Sequence, residues 1–232
     1  RYGRVITGAD GMGERIVEWA DADEAERAVG LCNAGVVCAA SANLFRWLSA
    51  VRNDNAKGEY YLTDVVAMAR AEGLRVRAVE APEAELRGIN SRVELAQAEA
   101  VLQGRLRAAA MEAGVTMTAP DTVFLSHDTR LAVDVVVEPH IVFGPGVTVG
   151  EGAVIRAFSH LEGCVVKRDA IIGPYARLRP ATVVEARAHV GNFVELKATT
   201  LGEGAKANHL AYLGDAGIGA GANIGAGTIT CN

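Results

Sequence analysis

The chain is 232 residues long, half of them hydrophobic but only 5% aromatic, with 26 glycines and a net charge of −5. That length suggests one or two domains, and 23 basic against 28 acidic side chains argue against nucleic acid or an anionic membrane as a partner. The four cysteines, Cys32, Cys38, Cys164 and Cys231, form no CxxC pair, so they read as reduced thiols of a cytoplasmic protein rather than zinc ligands.

In chain order, residues 1 to about 90 read as α/β. The apolar run Val36 to Ala40 suits a short buried strand. Asn43 to Val51 has helical spacing, with Leu44, Trp47, Leu48 and Val51 on one face. Leu62 to Ala71 predicts a second helix capped by Thr63, and Leu74 to Val79 alternates as a strand does. Residues 91–113 predict a long helix opened by a capping box, Ser91 with Glu94 three residues on, whose apolar face holds Leu95, Leu102, Leu106 and Ala109. A helix of that length is expected to link two domains.

From about residue 135 a six-residue repeat takes over. Its aliphatic positions are Phe143, Val149, Ile155, Leu161, Val166, Ile172, Leu178, Val184, Val190, Leu196, Leu201, Ala207, Leu213, Ile218 and Ile224, with five-residue steps after Leu161, Leu196 and Leu213. Four residues after most of them stands a small residue, among them Ala153, Ser159, Ala170, Ala176, Thr182, Ala188, Thr200, Ala205 and Ala211. Such a period predicts a parallel β-helix in which three units make one triangular coil. About five coils are expected, starting between residues 130 and 145. The chain opens at Arg1 rather than Met and ends at Asn232 inside a repeat, which reads as a piece cut at both ends.

Beyond the repeat, specific wording stands out. It comprises Tyr2-Gly3-Arg4, Ile16-Val17-Glu18, Asn33-Ala34-Gly35, Gly58 to Asp64, Gly88 to Arg92, and the tract RLRP…HVGNFVELK…KANHLAYLGDAGIGAGANIGAGTITCN. Through these residues the whole chain resembles the bifunctional N-acetylglucosamine-1-phosphate uridyltransferase/glucosamine-1-phosphate acetyltransferase family. The resemblance implies a Rossmann-like nucleotidyltransferase remnant at 1–90, a linker helix at 91–113 and an incomplete left-handed β-helix acetyltransferase domain at 114–232. It also implies a homotrimer that makes UDP-N-acetylglucosamine from glucosamine-1-phosphate, acetyl-CoA and UTP with Mg2+. The family's Gly-rich basic loop for the triphosphate and its magnesium-binding Asp do not occur here.

Carried over residue by residue, the resemblance implies that His209 deprotonates the amine of glucosamine-1-phosphate, a role that imidazole chemistry suits near neutrality. Arg179 and Lys197 would bind the sugar phosphate, Tyr212 and Asn223 the sugar, and Ala226 and Asn232 acetyl-CoA. Gly3, Glu18 and Asn33 match positions that hold UDP-N-acetylglucosamine, and Asn90 matches a magnesium ligand as well. By themselves Glu18 reads as a surface acid, Asn33 as a turn residue and Asn90 as a weak metal ligand. Two other functions fit the repeat alone. A trimerising scaffold needs only the inward stripe. A zinc hydratase needs converging histidines, but His160, His189 and His209 are spaced 29 and 20 residues apart, out of step with a 17- or 18-residue coil.

Overall fold

The computed structural model describes residues 2–230 and divides into two compact units, split between Glu94 and Leu95. The first unit opens with an antiparallel hairpin, β1 (Arg4–Thr7) and β2 (Gly13–Val17). Three helices follow: α1 (Glu24–Arg27), α2 (Ser41–Leu48) and α3 (Asp64–Ala71). Its core is a small cluster of Trp47, Val65 and Ala69, with Leu44, Val51, Met68 and Val76 packed against it. The helix α3 falls within the span that periodicity gives it, while α2 starts and ends earlier than expected, leaving Val51 past its end and Leu48 exposed.

The strands expected at 36–40 and 74–79 do not form. Val36 and Val79 are about four-fifths exposed. A strand needs a neighbour to take its N–H and C=O groups. Here the neighbour of β1 is an earlier segment: Leu31 and Asn33 exchange backbone hydrogen bonds with Val5 and Gly3. The 74–79 segment keeps a single such bond to β2, from the Gly13 N–H to the Val76 carbonyl at 2.9 Å. Thr63 stands at the N-cap of α3, but its hydroxyl donates to the Glu18 carboxylate at 3.3 Å instead of capping the helix.

The long helix α4 runs from Arg92 to Glu112. Ser91 Oγ accepts from the Glu94 N–H, and Glu94 reaches back to the Asn90 N–H at 2.6 Å. Those donors hold the Glu94 carboxyl below its ordinary pKa, the Asn90 N–H most of all. The buried face differs from the one expected. Leu95, Leu102 and Ala109 are exposed, while Gln103 is buried and Leu106 and Ala110 pack on the second unit's core. The Gln103 amide donates to the Leu125 carbonyl at 2.7 Å and accepts the Leu125 N–H at 2.9 Å. An amide is the one side chain that reproduces a backbone's donor and acceptor together. Gln103 thus satisfies the edge of the first coil as another strand would.

The rest of the second unit is a parallel β-solenoid of about six turns. One face stacks the columns Thr116, Val136, Val154, Ile171, His189, Lys206 and Asn223. A second stacks Phe124, Val142, His160, Arg177, Glu195 and Tyr212. The third stacks Arg130, Thr148, Val165, Val183, Thr200 and Gly217. Every aliphatic position of the repeat from Phe143 to Leu213 is at most 2% exposed.

Two details depart from the expected repeat. The solenoid begins at Thr116, a coil earlier than the period indicates, because Met117 and Leu125 stand eight positions apart with a 3-10 turn at Pro120–Thr122 between them, which hides the six-residue step. Where a step is five residues, the small inward residue moves one place earlier. Thr199 is fully buried and Thr200 exposed, and Cys164 fills the same place after Leu161. Burial pushes the Cys164 thiol up to about 12, so it is a packing residue without thiolate chemistry.

Candidate functional site

The corner between the first and second faces is built from residues in the left-handed region: His140, Phe158, Tyr175, Phe193 and Leu210, with φ from +48° to +61°. Their rings stack along the corner, His140 on Phe158 at 4.8 Å, Phe158 on Tyr175 at 5.0 Å and Tyr175 on Phe193 at 5.2 Å. No reading of the sequence anticipated this ladder. Its signal is a bulky residue every 17 or 18 positions, one per coil.

Beside the ladder, on the first-face side, lies a cleft of about 180 Å³ lined by Arg156, Gly173, Pro174, His189, Gly191, Asn192, Asn208 and His209. Two long strands, His189–Lys197 and Lys206–Gly214, carry most of it. They run in parallel register, Asn192 opposite His209. The approach at Gly191 is close enough that a Cβ there would run into the Asn208 carbonyl, so glycine is required at that point. The result is a direct contact between Asn192 Oδ1 and His209 Nδ1 at 2.8 Å. The Asn208 Oδ1 is buried without a hydrogen-bond partner. Burial, and then the positive charges of Arg156, Lys206 and His209, push the pKa of His189 down.

The other solenoid residues singled out lie elsewhere on the surface. Arg179 pairs with Glu195 at 3.0 Å and Lys197 with Asp215 at 3.3 Å, on the far side of the ladder from His209. Tyr212 sits next to Glu195 in the second face and lies over Gly214, where a Cβ would meet its Oη. Asn223 continues the first-face column above Lys206 and is exposed. Ala226 is exposed one coil beyond His209, next to Gly227, whose N–H donates to the Leu210 carbonyl at 2.9 Å. Asn232 and Cys231 lie outside the described residues. One chain therefore places His209 in a cleft that Arg179, Lys197, Tyr212, Asn223 and Ala226 do not line.

In the first unit, Gly3, Glu18 and Asn33 come together. The Asn33 N–H donates to the Gly3 carbonyl at 2.8 Å, and a Cβ on Gly3 would stand 3.2 Å from Glu18 Oε1. Asn33 also makes a turn, its Oδ1 accepting the Gly35 N–H at 3.1 Å. Glu18 lines a second, wider cleft of about 360 Å³ with Arg15, Asp21, Arg52, Tyr61 and Asp64. Burial, and then the Asp21 charge, raise the Asp64 pKa. Asn90 lies just before α4 and lines neither cleft. Among the described residues no group of three His, Cys, Asp or Glu side chains is placed to hold a metal ion. The residues present do not by themselves make the magnesium site that the resemblance implies.

No family model matches the chain. Curated relatives match over its whole length. The chain is 71% identical over 231 residues to the bifunctional protein GlmU of Acidiphilium cryptum, 73% over 232 residues to that of Gluconacetobacter diazotrophicus and 56% over 232 residues to that of a Jannaschia species. It covers 53%, 50% and 51% of those proteins, so it spans about half the length of the curated relatives it matches. The resemblance read from the sequence is borne out over every part of the chain. Among solved structures, a GDP-perosamine N-acetyl transferase from Caulobacter crescentus, crystallised with CoA and GDP-perosamine, aligns with a TM-score of 0.36. It is 18% identical over 56% of this chain and 59% of its own. That likeness is too distant to inform the site. No helix among the described residues is long and apolar enough to cross a membrane.

Proposed function

We propose that the solenoid unit serves the acetyl-transfer half of UDP-N-acetylglucosamine synthesis, with His209 as general base. The observation that carries this reading is the placement of His209 in a polar cleft, its Nδ1 engaged by Asn192. The ring's second nitrogen is then left to meet a substrate. In the proposed step the amine of glucosamine-1-phosphate attacks the thioester carbonyl of acetyl-CoA. His209 Nε2 takes the proton lost by the attacking nitrogen. Collapse of the tetrahedral intermediate expels the coenzyme A sulfur, which recovers a proton from the imidazolium. The product is N-acetylglucosamine-1-phosphate with free CoA thiol, and UTP would be the second reaction's co-substrate.

Arg179 and Lys197 would hold the sugar phosphate, Tyr212 and Asn223 the sugar, and Ala226 the acetyl donor. The ion pairs of Arg179 and Lys197 with Glu195 and Asp215 would open or shift to admit that phosphate. Because these residues and His209 stand on opposite sides of the aromatic corner, the reading places them in one site by bringing together copies of a left-handed solenoid. The expected homotrimer does so. Gly3, Glu18 and Asn33, already neighbours, would hold UDP-N-acetylglucosamine on the first unit, and Asn90 would supply one oxygen toward magnesium.

The test is His209→Ala in a chain extended at both ends to the length of its relatives. Thiol release from acetyl-CoA that depends on glucosamine-1-phosphate should fall by roughly 10²- to 10⁴-fold, the contribution of a general base. Unchanged thiol release would end this reading.

A further inference from the structure

We infer that Asn192 selects the tautomer of His209, accepting the Nδ1–H so that the Nε2 lone pair is the one presented to the cleft. The catalytic consequence rests on His209 being the base proposed above, but the tautomer does not. Asn192 faces His209 through strand register rather than through a mobile loop: the two are paired across parallel strands, with Nδ1 and Oδ1 at 2.8 Å. The close approach of the coils at Gly191 and Asn208 is what brings the two side chains level. In the neutral ring one nitrogen donates and the other accepts, so fixing one fixes both.

The other charged or titratable groups around the cleft are Arg156, His189 and Lys206. The two cations cannot accept a hydrogen bond. The acceptor at hydrogen-bond distance from Nδ1 is the Asn192 amide oxygen, a neutral group that orients the imidazole without adding a charge that would hold the proton there. A carboxylate in the same place would retain the proton more strongly and make its return slower.

The experiment uses this chain with 15N-labelled histidine and two-bond proton–nitrogen correlation spectra, recorded where His209 is neutral and assigned by the loss of signals in His209→Ala. The parent chain should show a protonated Nδ1 and a bare Nε2. Asn192→Asp keeps an acceptor and should keep that pattern. Asn192→Leu removes it and should move the ring toward Nε2–H, the form imidazole prefers in water. A bare Nδ1 in the parent chain, or an unchanged spectrum in Asn192→Leu, would overturn the inference. In a chain of the relatives' length, Asn192→Leu should also lower kcat for acetyl transfer by about tenfold with little change in KM for acetyl-CoA. A tautomer change with full acetyl transfer would leave the assignment standing and end only its catalytic consequence, whereas the base itself is tested by His209→Ala, so the two readings fail separately.

Discussion

The solenoid and the N-terminal unit bury apolar side chains in different ways. In the solenoid each coil covers the next, and one aliphatic residue every five or six positions is enough to fill the interior at 0–2% exposure. Because each coil contacts only its neighbours, stability accumulates along one dimension. The N-terminal unit has no such repetition. Its core cluster is three buried side chains with a few partners, tied at one end by polar contacts. Glu72 accepts from Arg46 at 2.5 and 2.7 Å and from the Trp47 indole at 3.0 Å. A regular stack is robust to surface change but intolerant wherever two coils touch through backbone. A small irregular core depends instead on a few individual ties.

That contrast can be broken most forcefully at Gly191. Replacing it with Ala sets a Cβ against the Asn208 backbone, and backbone cannot swing aside as a side chain can. The coils must part there, and we expect a loss of about 4 kcal/mol or more, in the range reserved for a few severe mechanisms. Hydrogen exchange should report it in the strands 189–197 and 206–214 while leaving residues 2–94 protected as before. A loss under about 1 kcal/mol would mean that the coils slide freely and that stacking is not rigid.

A smaller effect is expected at the solenoid's first edge. Gln103→Leu keeps the apolar volume of the side chain but leaves the Leu125 N–H and C=O without the partners they now have. Unsatisfied buried groups should cost about 2–3 kcal/mol together. Urea unfolding measures this, and Gln103→Glu, which can accept but not donate when ionised, should recover only part of it. If Gln103→Leu proves neutral, the edge is satisfied in another way and the repeat needs no cap.

The least expected change lies in the N-terminal unit and depends on pH. The Arg46 and Trp47 donors hold the Glu72 carboxyl down at about 2, below its ordinary 4.5. A carboxyl with a depressed folded-state pKa stabilises fully above its unfolded value, and that stability is lost as pH falls toward the folded value. Thermal unfolding of the 2–94 unit should therefore weaken between about pH 4.5 and pH 2, modestly because the pair is exposed to solvent. Glu72→Gln should flatten that slope. A slope unchanged by the substitution would move the acid sensitivity to other carboxylates.

The sequence alone determined the inward stripe of the solenoid, residue by residue from Phe143 to Leu213, because a coil's inward positions recur with a local period that needs no partner to be read. It also located the helices α2, α3 and α4, because helical signals are equally local, though it did not determine the face that α4 buries. Even the Asn192–His209 pair was within reach, since the two lie 17 residues apart, one coil. Tertiary structure decided what depends on a neighbour. The strand expected at 36–40 gave way because β1 took its partner at Leu31 and Asn33, and the 74–79 segment keeps one backbone hydrogen bond, to β2. The helix face turned toward Gln103 because an open strand edge needs an amide more than it needs a leucine. Thr199 displaced Thr200 inside because a five-residue step shortens the turn. The division of the candidate site by the aromatic corner was decided the same way. Residues close in sequence, His209 and Tyr212, are sent to different faces by one left-handed residue, Leu210, between them.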